Sequence, residues 1–279
     1  MRRYVVDGGT AVLTGAASGI GRATTLELAR RGSSLVLLDR DADGLEAVAD
    51  EARRLRPDRS VVTHVVDLSD GDAALAAAEQ VRDAHPHVHL LVNNAGVALA
   101  GRFDQVSMAD VDWLLSINLR AVLLMTHTML PSLLSTYGSH VCNLSSVFGL
   151  AGPPGQAAYV TSKFGVRGFG DSLRQELAPY GVGVTTVHPG GVATSIAVSQ
   201  RQGPGVSDAE MSRGLDAARR LLVLDPAVAA RKIVDGVERR RPRVLIGREA
   251  YLLDAMARIA PGSYGVLLRA FNDRMDATS

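Results

Sequence analysis

Short β-rich apolar runs recur along the 279-residue chain, each separated from the next by a longer stretch with helical periodicity. The runs are Ala11 to Leu13, Leu35 to Leu38, Val61 to Val66, Leu90 to Val92, Val141 to Leu144, Val182 to Val187 and Val244 to Ile246. Strands that alternate with helices need crossover connections, and crossovers produce parallel pairing with helices on both faces of the sheet. The expected fold is therefore α/β, a single doubly wound domain with a seven-stranded parallel sheet. Helix ends are marked as well. Gly44 to Leu55 stops at Arg56-Pro57, and Asp72 to Ala84 stops before His85-Pro86. Ser107-Met-Ala-Asp110 has the pattern of a cap opening a long helix that carries Asn118, which Pro131 should kink or end. The least regular region, 195–225, reads as a mobile lid, and 248–279 as a helical tail.

A glycine-rich turn, Thr14-Gly-Ala-Ala-Ser-Gly-Ile-Gly21, joins the first strand to the first helix. Glycines there let the backbone approach a diphosphate, and the helix N-terminus presents free N–H groups and the positive end of its dipole. Glycine also serves turns and close packing, so the loop alone is weak evidence. Asp39 strengthens it. It ends the second strand eighteen residues after Gly21, near the spacing at which a carboxylate binds the adenosine ribose hydroxyls in this fold. A carboxylate there would repel a 2′-phosphate, which favours NAD as cofactor; Arg22 and Arg40 keep NADP open.

Tyr159-Val-Thr-Ser-Lys163 places a phenol and an ammonium four residues apart, on one helix face. A nearby cation favours the phenolate, so Lys163 is expected to lower the Tyr159 pKa toward a useful range. A tyrosine packed on the core beside a solvated lysine has the same spacing. Companion residues decide between these readings.

Together with Ser146, thirteen positions before Tyr159, and with Asp67, Asn93-Asn94-Ala95-Gly96, Asn118 and Pro189-Gly190 followed by Thr194, these motifs resemble the short-chain dehydrogenase/reductase family over about residues 8–195. The resemblance implies an NAD(P)-dependent oxidoreductase acting on an alcohol or ketone. It assigns catalysis to Asn118, Ser146, Tyr159 and Lys163, with Tyr159 the acid/base, Ser146 a donor to the substrate oxygen, and Asn118 the holder of a water that completes a proton relay. Ser145, the neighbouring candidate, should face the other way. Cofactor contacts carried over are Gly15, Ser18, Gly19, Ile20, Gly21, Asp39, Asp67, Leu68, Asn94, Ala95, Gly96, Tyr159, Lys163, Pro189, Gly190, Val192 and Thr194. Asn93 should brace the central strands. His188 stands where the family usually has Asn, and a tolerated variation is the expectation.

Apolar residues around these positions, Val147, Phe148, Leu150, Val97, Leu99, Ile196, Val198, Met211 and Leu215, suggest a lipophilic substrate, steroid-like, terpenoid or fatty. Arg201 and Arg213 lie in the lid and could clamp a carboxylate. A 3-oxoacyl-thioester reductase using NADPH and a non-catalytic NAD(P)-binding regulatory protein are the alternatives.

Composition narrows the partners. Thirty Lys and Arg against 29 Asp and Glu leave no global charge to attract nucleic acid. The one cysteine, Cys142, excludes an internal disulfide and fits a reducing cytoplasm as a buried thiol. Met1-Arg-Arg-Tyr-Val-Val is too short in its apolar part for a secretory signal, and no run approaches 18 uninterrupted apolar residues, so a soluble protein without a transmembrane segment is expected. His85, His87 and His89 lack an acidic or cysteine partner, and no metal is expected. The basic run from Glu238 to Arg243 reads as a solvated helix end. Through the helices of Asn118 and Tyr159 the resemblance implies a homodimer or homotetramer. The amphipathic tail, with Leu252, Met256, Ile259, Val266, Leu267 and Phe271, is expected to dock on the body or a second subunit, and least of all on a membrane surface.

Overall fold

The computed structural model of the chain describes residues 3–265. In chain order its first half contains β1 (Thr10–Thr14), α1 (Gly19–Arg30), β2 (Ser34–Asp39), α2 (Ala42–Leu55), β3 (Val61–Val65), α3 (Gly71–Ala84), β4 (Leu90–Asn93) and β5 (Leu99–Ala100). There follow α4 (Met108–Leu115), α5 (Ala121–Leu134), β6 (His140–Leu144), α6 (Ala157–Leu177) and β7 (Gly183–Pro189). The chain continues through β8 (Arg201–Gln202), α7 (Asp208–Leu221), α8 (Pro226–Glu238), β9 (Arg243–Ile246) and α9 (Arg248–Ile259).

The seven-stranded sheet has the order β3-β2-β1-β4-β6-β7-β9, and all of its pairings are parallel. Alternate side chains of each strand enter opposite layers, as a two-residue period requires. Ala11 and Leu13 of β1 join Leu35, Leu37, Leu26, Ile233 and Val234 on one face. Val12, Val36 and Leu38 join Met125, Met129 and Leu173 on the other. Strand order reverses between β1 and β4, which diverge to β2 and β6 respectively, and that switch point opens a crevice at the C-terminal ends of the strands.

Three local expectations are corrected. Pro131 does not end its helix: α5 runs on to Leu134, since the proline gives up only its own N–H bond and the last three residues close the final turn. The segment 195–225 is more regular than its composition suggests. It holds β8 and the fourteen-residue α7, opened by a capping box between Ser207 and Glu210. A separate two-stranded parallel sheet, β5 with β8, ties this segment to the loop after β4. The helix opened by the Ser107–Asp110 capping box is interrupted at Ser116–Arg120 by a π-helical turn, and Asn118 lies within it.

The helical run Met108–Leu134 is long and apolar enough, by length and mean composition, to cross a bilayer, but half of it is buried inside the fold as an interior layer. The expected tail is helical from Arg248 to Ile259; its continuation through Val266, Leu267 and Phe271 lies outside the described residues, as do Met1 and Arg2. Cys142 is fully buried, and burial pushes its thiol up to about 12. His89 is engaged structurally: its Nδ1 accepts from the Thr10 N–H at 3.1 Å.

Two histidines are buried in strands. Burial pushes His140 on β6 down to about 3 and His188 on β7 down to about 4, from 6.5. Both are neutral in the folded chain, whereas the unfolded chain takes up protons below pH 6.5, so their contribution to stability is present above that pH and is lost as pH falls toward the folded values. The loss should be on the order of 1 kcal/mol per pH unit for each group. Thermal unfolding followed by circular dichroism should show Tm falling from pH 7 to pH 5, and His140→Asn should flatten that slope; parallel curves for the two proteins would remove the assignment.

Candidate active site

The Gly-rich turn is held by contacts from β4. Asn94 donates from Nδ2 to the carbonyls of Thr14 and Gly15, at 3.0 and 2.8 Å, while the Thr14 hydroxyl accepts from the N–H groups of Asn94 and Ala95 at 3.1 and 3.2 Å. Asn94 is therefore a brace for the turn in addition to lining the crevice. Gly15 and Gly19 have φ of 68° and 53°, in the left-handed region that favours glycine. A Cβ on Gly21 would collide with the Gly15 carbonyl oxygen. Ser18 is the N-cap of α1, yet its side chain makes no cap bond, and no acidic residue lies in the first turn. In contrast α2, α3, α4, α7 and α8 are each capped by an Asp or Ser side chain. The first N–H groups of α1, Ile20 among them, thus face the crevice without a protein acceptor to compete for them.

Asp39 ends β2 beside this turn, accepting from the N–H groups of Ala17 at 2.9 Å and Asp41 at 3.1 Å. Carboxylate lone pairs remain for a ribose diol. Arg22 is paired with Glu51 at 2.5 Å. After β3, Asp67 is exposed with its Oδ1 held by the Ser69 N–H, and Leu68 is buried next to it. Across the crevice, Gly190 bonds to the Ile246 carbonyl at 2.9 Å and Val192 to the Gly190 carbonyl at 2.8 Å. Side chains at Gly190 or Gly191 would strike Glu249 or the Leu221 carbonyl, and the Thr194 methyl lies against Gly19. The Pro189–Thr194 segment is in this way brought to the N-terminus of α1.

The expected catalytic residues converge at the ends of β4 and β6 and on α6. Lys163 is buried, donates from Nζ to the Leu144 carbonyl at 3.1 Å and lies 5.6 Å from the centroid of the Tyr159 ring. Ser146 accepts from the Phe148 N–H at 3.1 Å, which leaves its own proton to donate, and its hydroxyl favours the charged form of the Tyr159 phenol. Phe148 stands edge-on to the Tyr159 ring with centroids 6.1 Å apart. Asn118 clamps the Val97 peptide, accepting from its N–H at 2.8 Å and donating to its carbonyl at 3.0 Å, with a further bond to Ser162 at 3.3 Å. Gly96 separates Lys163 from Asn118: a Cβ there would lie 3.3 Å from Nζ and 3.4 Å from Oδ1. Ser145 does face away, donating to the Lys163 carbonyl at 2.8 Å. Asn93 braces Asn143 at 2.8 Å and Thr126 at 3.0 Å, as expected.

The electrostatic balance differs from the expected one. Burial dominates at both titrating groups, pushing Tyr159 up to about 12 and Lys163 down to about 8, with only the Ser146 hydrogen bond acting to lower the phenol. Desolvation of the phenolate outweighs the ammonium, whose protons are directed at the Leu144 carbonyl.

A glycine turn against an uncapped helix, a carboxylate at the end of β2 and a buried Ser-Tyr-Lys group fit a dinucleotide cofactor. Residues 9–205 match the family model for short chain dehydrogenases. The chain belongs to the short-chain dehydrogenase/reductase family. It is 38% identical over 266 residues to a Mycobacterium tuberculosis protein named as an oxidoreductase, SadH, covering 95% of each chain. It is 33% identical over 189 residues to the 3-oxoacyl-[acyl-carrier-protein] reductase FabG of Thermotoga maritima, covering 68% of this chain and 76% of that protein. Its fold is similar to a short-chain dehydrogenase/reductase from Burkholderia phymatum in complex with NAD, with TM-score 0.82, 29% identity and coverage of 95% and 96%. A short-chain dehydrogenase from Sphingobium yanoikuyae in complex with NADPH has TM-score 0.75, 27% identity and coverage of 96% and 95%. The chain is thus an NAD(P)-dependent short-chain dehydrogenase/reductase.

Several contacts in this short-chain dehydrogenase/reductase had no signal in the sequence. Glu249, on α9, accepts from the Gly191 N–H at 2.6 Å, and His188 lies 3.0 Å by its Nδ1 from the Ser146 carbonyl. Arg201, a candidate carboxylate clamp, is instead stacked 3.7 Å from the Trp113 centroid and paired with Asp110 at 3.2 Å. Leu99 is part of a small core with Val111, Leu114 and Ala158, against which Val97, Trp113 and Tyr159 pack. Val198 and Leu215 line a cavity of about 800 Å³ between α1 and α7 that reaches Ser18, Gly19 and Thr194 but not Tyr159. These two residues therefore face the cofactor turn more than the chemistry.

Gly21→Ala should abolish NADH binding, since the new methyl and the Gly15 carbonyl cannot occupy the same place. Titration of NADH fluorescence checks this, with circular dichroism to confirm folding; binding within threefold of the parent, about 0.7 kcal/mol, would contradict the packing argument.

Proposed function

We propose that this enzyme moves a hydride between NAD and a lipophilic secondary alcohol or its ketone, with Tyr159 handling the hydroxyl proton. The observation that carries the reading is the buried Lys163, its ammonium 5.6 Å from the Tyr159 ring centroid, with the Ser146 hydroxyl favouring the phenolate. When bound, the nicotinamide supplies or accepts the hydride at its C4. Ser146 donates to the substrate oxygen, where charge grows in the transition state, because its oxygen is already occupied by the Phe148 N–H. Tyr159 protonates that oxygen in reduction and removes its proton in oxidation. Lys163 would hold the nicotinamide ribose hydroxyls through its ammonium, 5.6 Å from the Tyr159 ring centroid. Asn118 keeps Gly96 and Val97 against Lys163, and a free lone pair on its Oδ1 can receive a water of the proton path.

The lipophilic preference rests on Phe148, Val97 and Trp113 around Tyr159 and on the engagement of Arg201 by Trp113 and Asp110, which removes a carboxylate clamp. NAD over NADP rests on the Asp39 carboxylate and on the Arg22–Glu51 pair. The second reading, reduction of a 3-oxoacyl thioester, is favoured by the likeness to FabG and opposed by Asp39 if NADPH is the reductant. A lid role for 195–225 is supported by its pairing with the loop after β4. Homodimers or homotetramers through α5 and α6 are supported by Leu123 and Phe164, exposed apolar residues on those helices. A cytoplasmic setting agrees with the free, buried Cys142.

Absorbance at 340 nm with NAD+ or NADP+ and secondary alcohols from small to steroid-sized tests the reading. Tyr159→Phe should lower kcat about 100-fold or more while leaving NADH affinity unchanged; near-normal turnover would refute the assignment. With Tyr159 neutral until high pH, oxidation should accelerate with pH from 7 to 10, because it needs the phenolate, whereas reduction should slow above about pH 8 as Lys163 loses its proton. A flat oxidation profile would show that another group takes the proton. Asp39→Ser should raise the NADP+/NAD+ ratio of kcat/KM about tenfold or more by removing repulsion of the 2′-phosphate, and an unchanged ratio would displace Asp39 from the ribose site.

A further inference from the structure

His188 lies on β7 with no exposed surface, one residue before the Pro189-Gly190 turn. Its Nδ1 is 3.0 Å from the backbone carbonyl of Ser146. A carbonyl oxygen only accepts, so Nδ1 carries the ring proton and Nε2 is left as a bare acceptor. Nε2 is buried without a partner, and so is Nε of Arg243, a donor on the neighbouring strand β9. Arg243 is itself held by Asp254 of α9 at 2.6 Å. The charged groups whose fields reach the imidazole are Arg243, Arg167 and Asp254; Arg167 donates to the Gly149 carbonyl in the loop that follows Ser146. Both cations disfavour a protonated ring, and burial adds to them.

We propose that His188 is a positioning residue for Ser146, fixing the backbone that carries the catalytic hydroxyl through its Nδ1–H bond to the Ser146 carbonyl. The chain leaves the sheet at this point: the Ser145 N–H still bonds to the Val187 carbonyl at 2.8 Å, whereas the Ser146 carbonyl, in the 146–147 peptide, turns to the His188 side chain and to the Gly149 N–H. The Ser146 carbonyl accepts from the Gly149 N–H at 2.9 Å as well as from His188, so without His188 it would rest on the turn bond alone with one lone pair buried and unused, and a tilt of the peptide toward Gly149 would shift the hydroxyl relative to Tyr159. An asparagine could donate from Nδ2 to the same carbonyl, which makes it the conservative replacement at this position. Arg243 and Asp254 extend the arrangement to α9. The role of His188 depends on the catalytic reading of Ser146 given above, while the tautomer does not.

Two measurements test it. Long-range 1H–15N correlation spectra of histidine-labelled protein should contain one ring, missing in His188→Asn, that stays neutral with the proton on Nδ1 from pH 5 to pH 9; an Nε2–H tautomer, or titration near the ordinary histidine pKa, overturns the geometry. For the role, kcat is compared in His188→Leu and His188→Asn with the alcohol from the 340 nm panel that turns over fastest. Misplacing the hydroxyl should cost the Leu variant about 10- to 100-fold in kcat with little change in NADH affinity, whereas the Asn variant should stay within about threefold of the parent. In a Ser146→Ala background the Leu substitution should cost less than about twofold more, because it acts through the missing hydroxyl. Multiplicative losses in that cycle, or equal losses for Leu and Asn accompanied by equal falls in Tm, would mean a structural role only and overturn the proposal. If Ser146→Ala and Tyr159→Phe leave turnover intact, or no alcohol in the panel turns over, the catalytic reading fails and the positioning role with it, while the tautomer result is unaffected.

Discussion

The two hydrogen bonds from the Asn94 amide to the carbonyls of Thr14 and Gly15 hold the rest of the site in place. They join β1 to β4 at the point where strand order reverses, so they set the width of the crevice and the path of the Gly-rich turn together. Gly21 then packs directly on the Gly15 carbonyl, and this contact fixes where α1 begins. From β4 the chain continues through Gly96 and Val97, which Asn118 clamps, and so reaches Lys163. One asparagine side chain thereby links the Gly-rich turn to the strand that leads to the Lys163 group.

The elements of the fold were legible because parallel strands buried on both faces are forced into short apolar runs, and the helices between them carry their own caps and stops. All seven main strands appear where those runs lie. What could not be read is non-local or conformational. The β5–β8 pair joins two dipeptides with no strand character of their own. The π turn at Ser116–Arg120 depends on packing around Asn118, and α7 was hidden by a composition poor in large apolar residues although its Ser207–Glu210 cap was present in plain view. Within the site, motif spacing located Ser146, Tyr159 and Lys163, but the contribution of Glu249 comes from a helix 58 residues beyond Gly191 and could only be seen in three dimensions.

The electrostatics follow from the same burial that makes the site. Lys163 and Tyr159 are both shifted toward their neutral forms, which sequence spacing alone does not predict, because spacing reports the distance between charges and says nothing about solvent. A phenol held neutral is ready as a proton donor and reluctant as a base. The polar groups arranged around it, the Ser146 hydroxyl above all, are therefore the means by which the protein can adjust the balance between the two directions.

The small sheet formed by β5 and β8 has a consequence for how the chain assembles. Leu99 pairs with Arg201, and the intervening hundred or so residues include the helices of Asn118 and Tyr159 and the strands β6 and β7. Closing a loop of that length costs entropy that a two-residue ladder cannot offset by itself, so the pairing forms only after the intervening core has brought its ends together. The β5–β8 pairing is accordingly a late-folding structure, and its local opening disturbs little of the core beneath it.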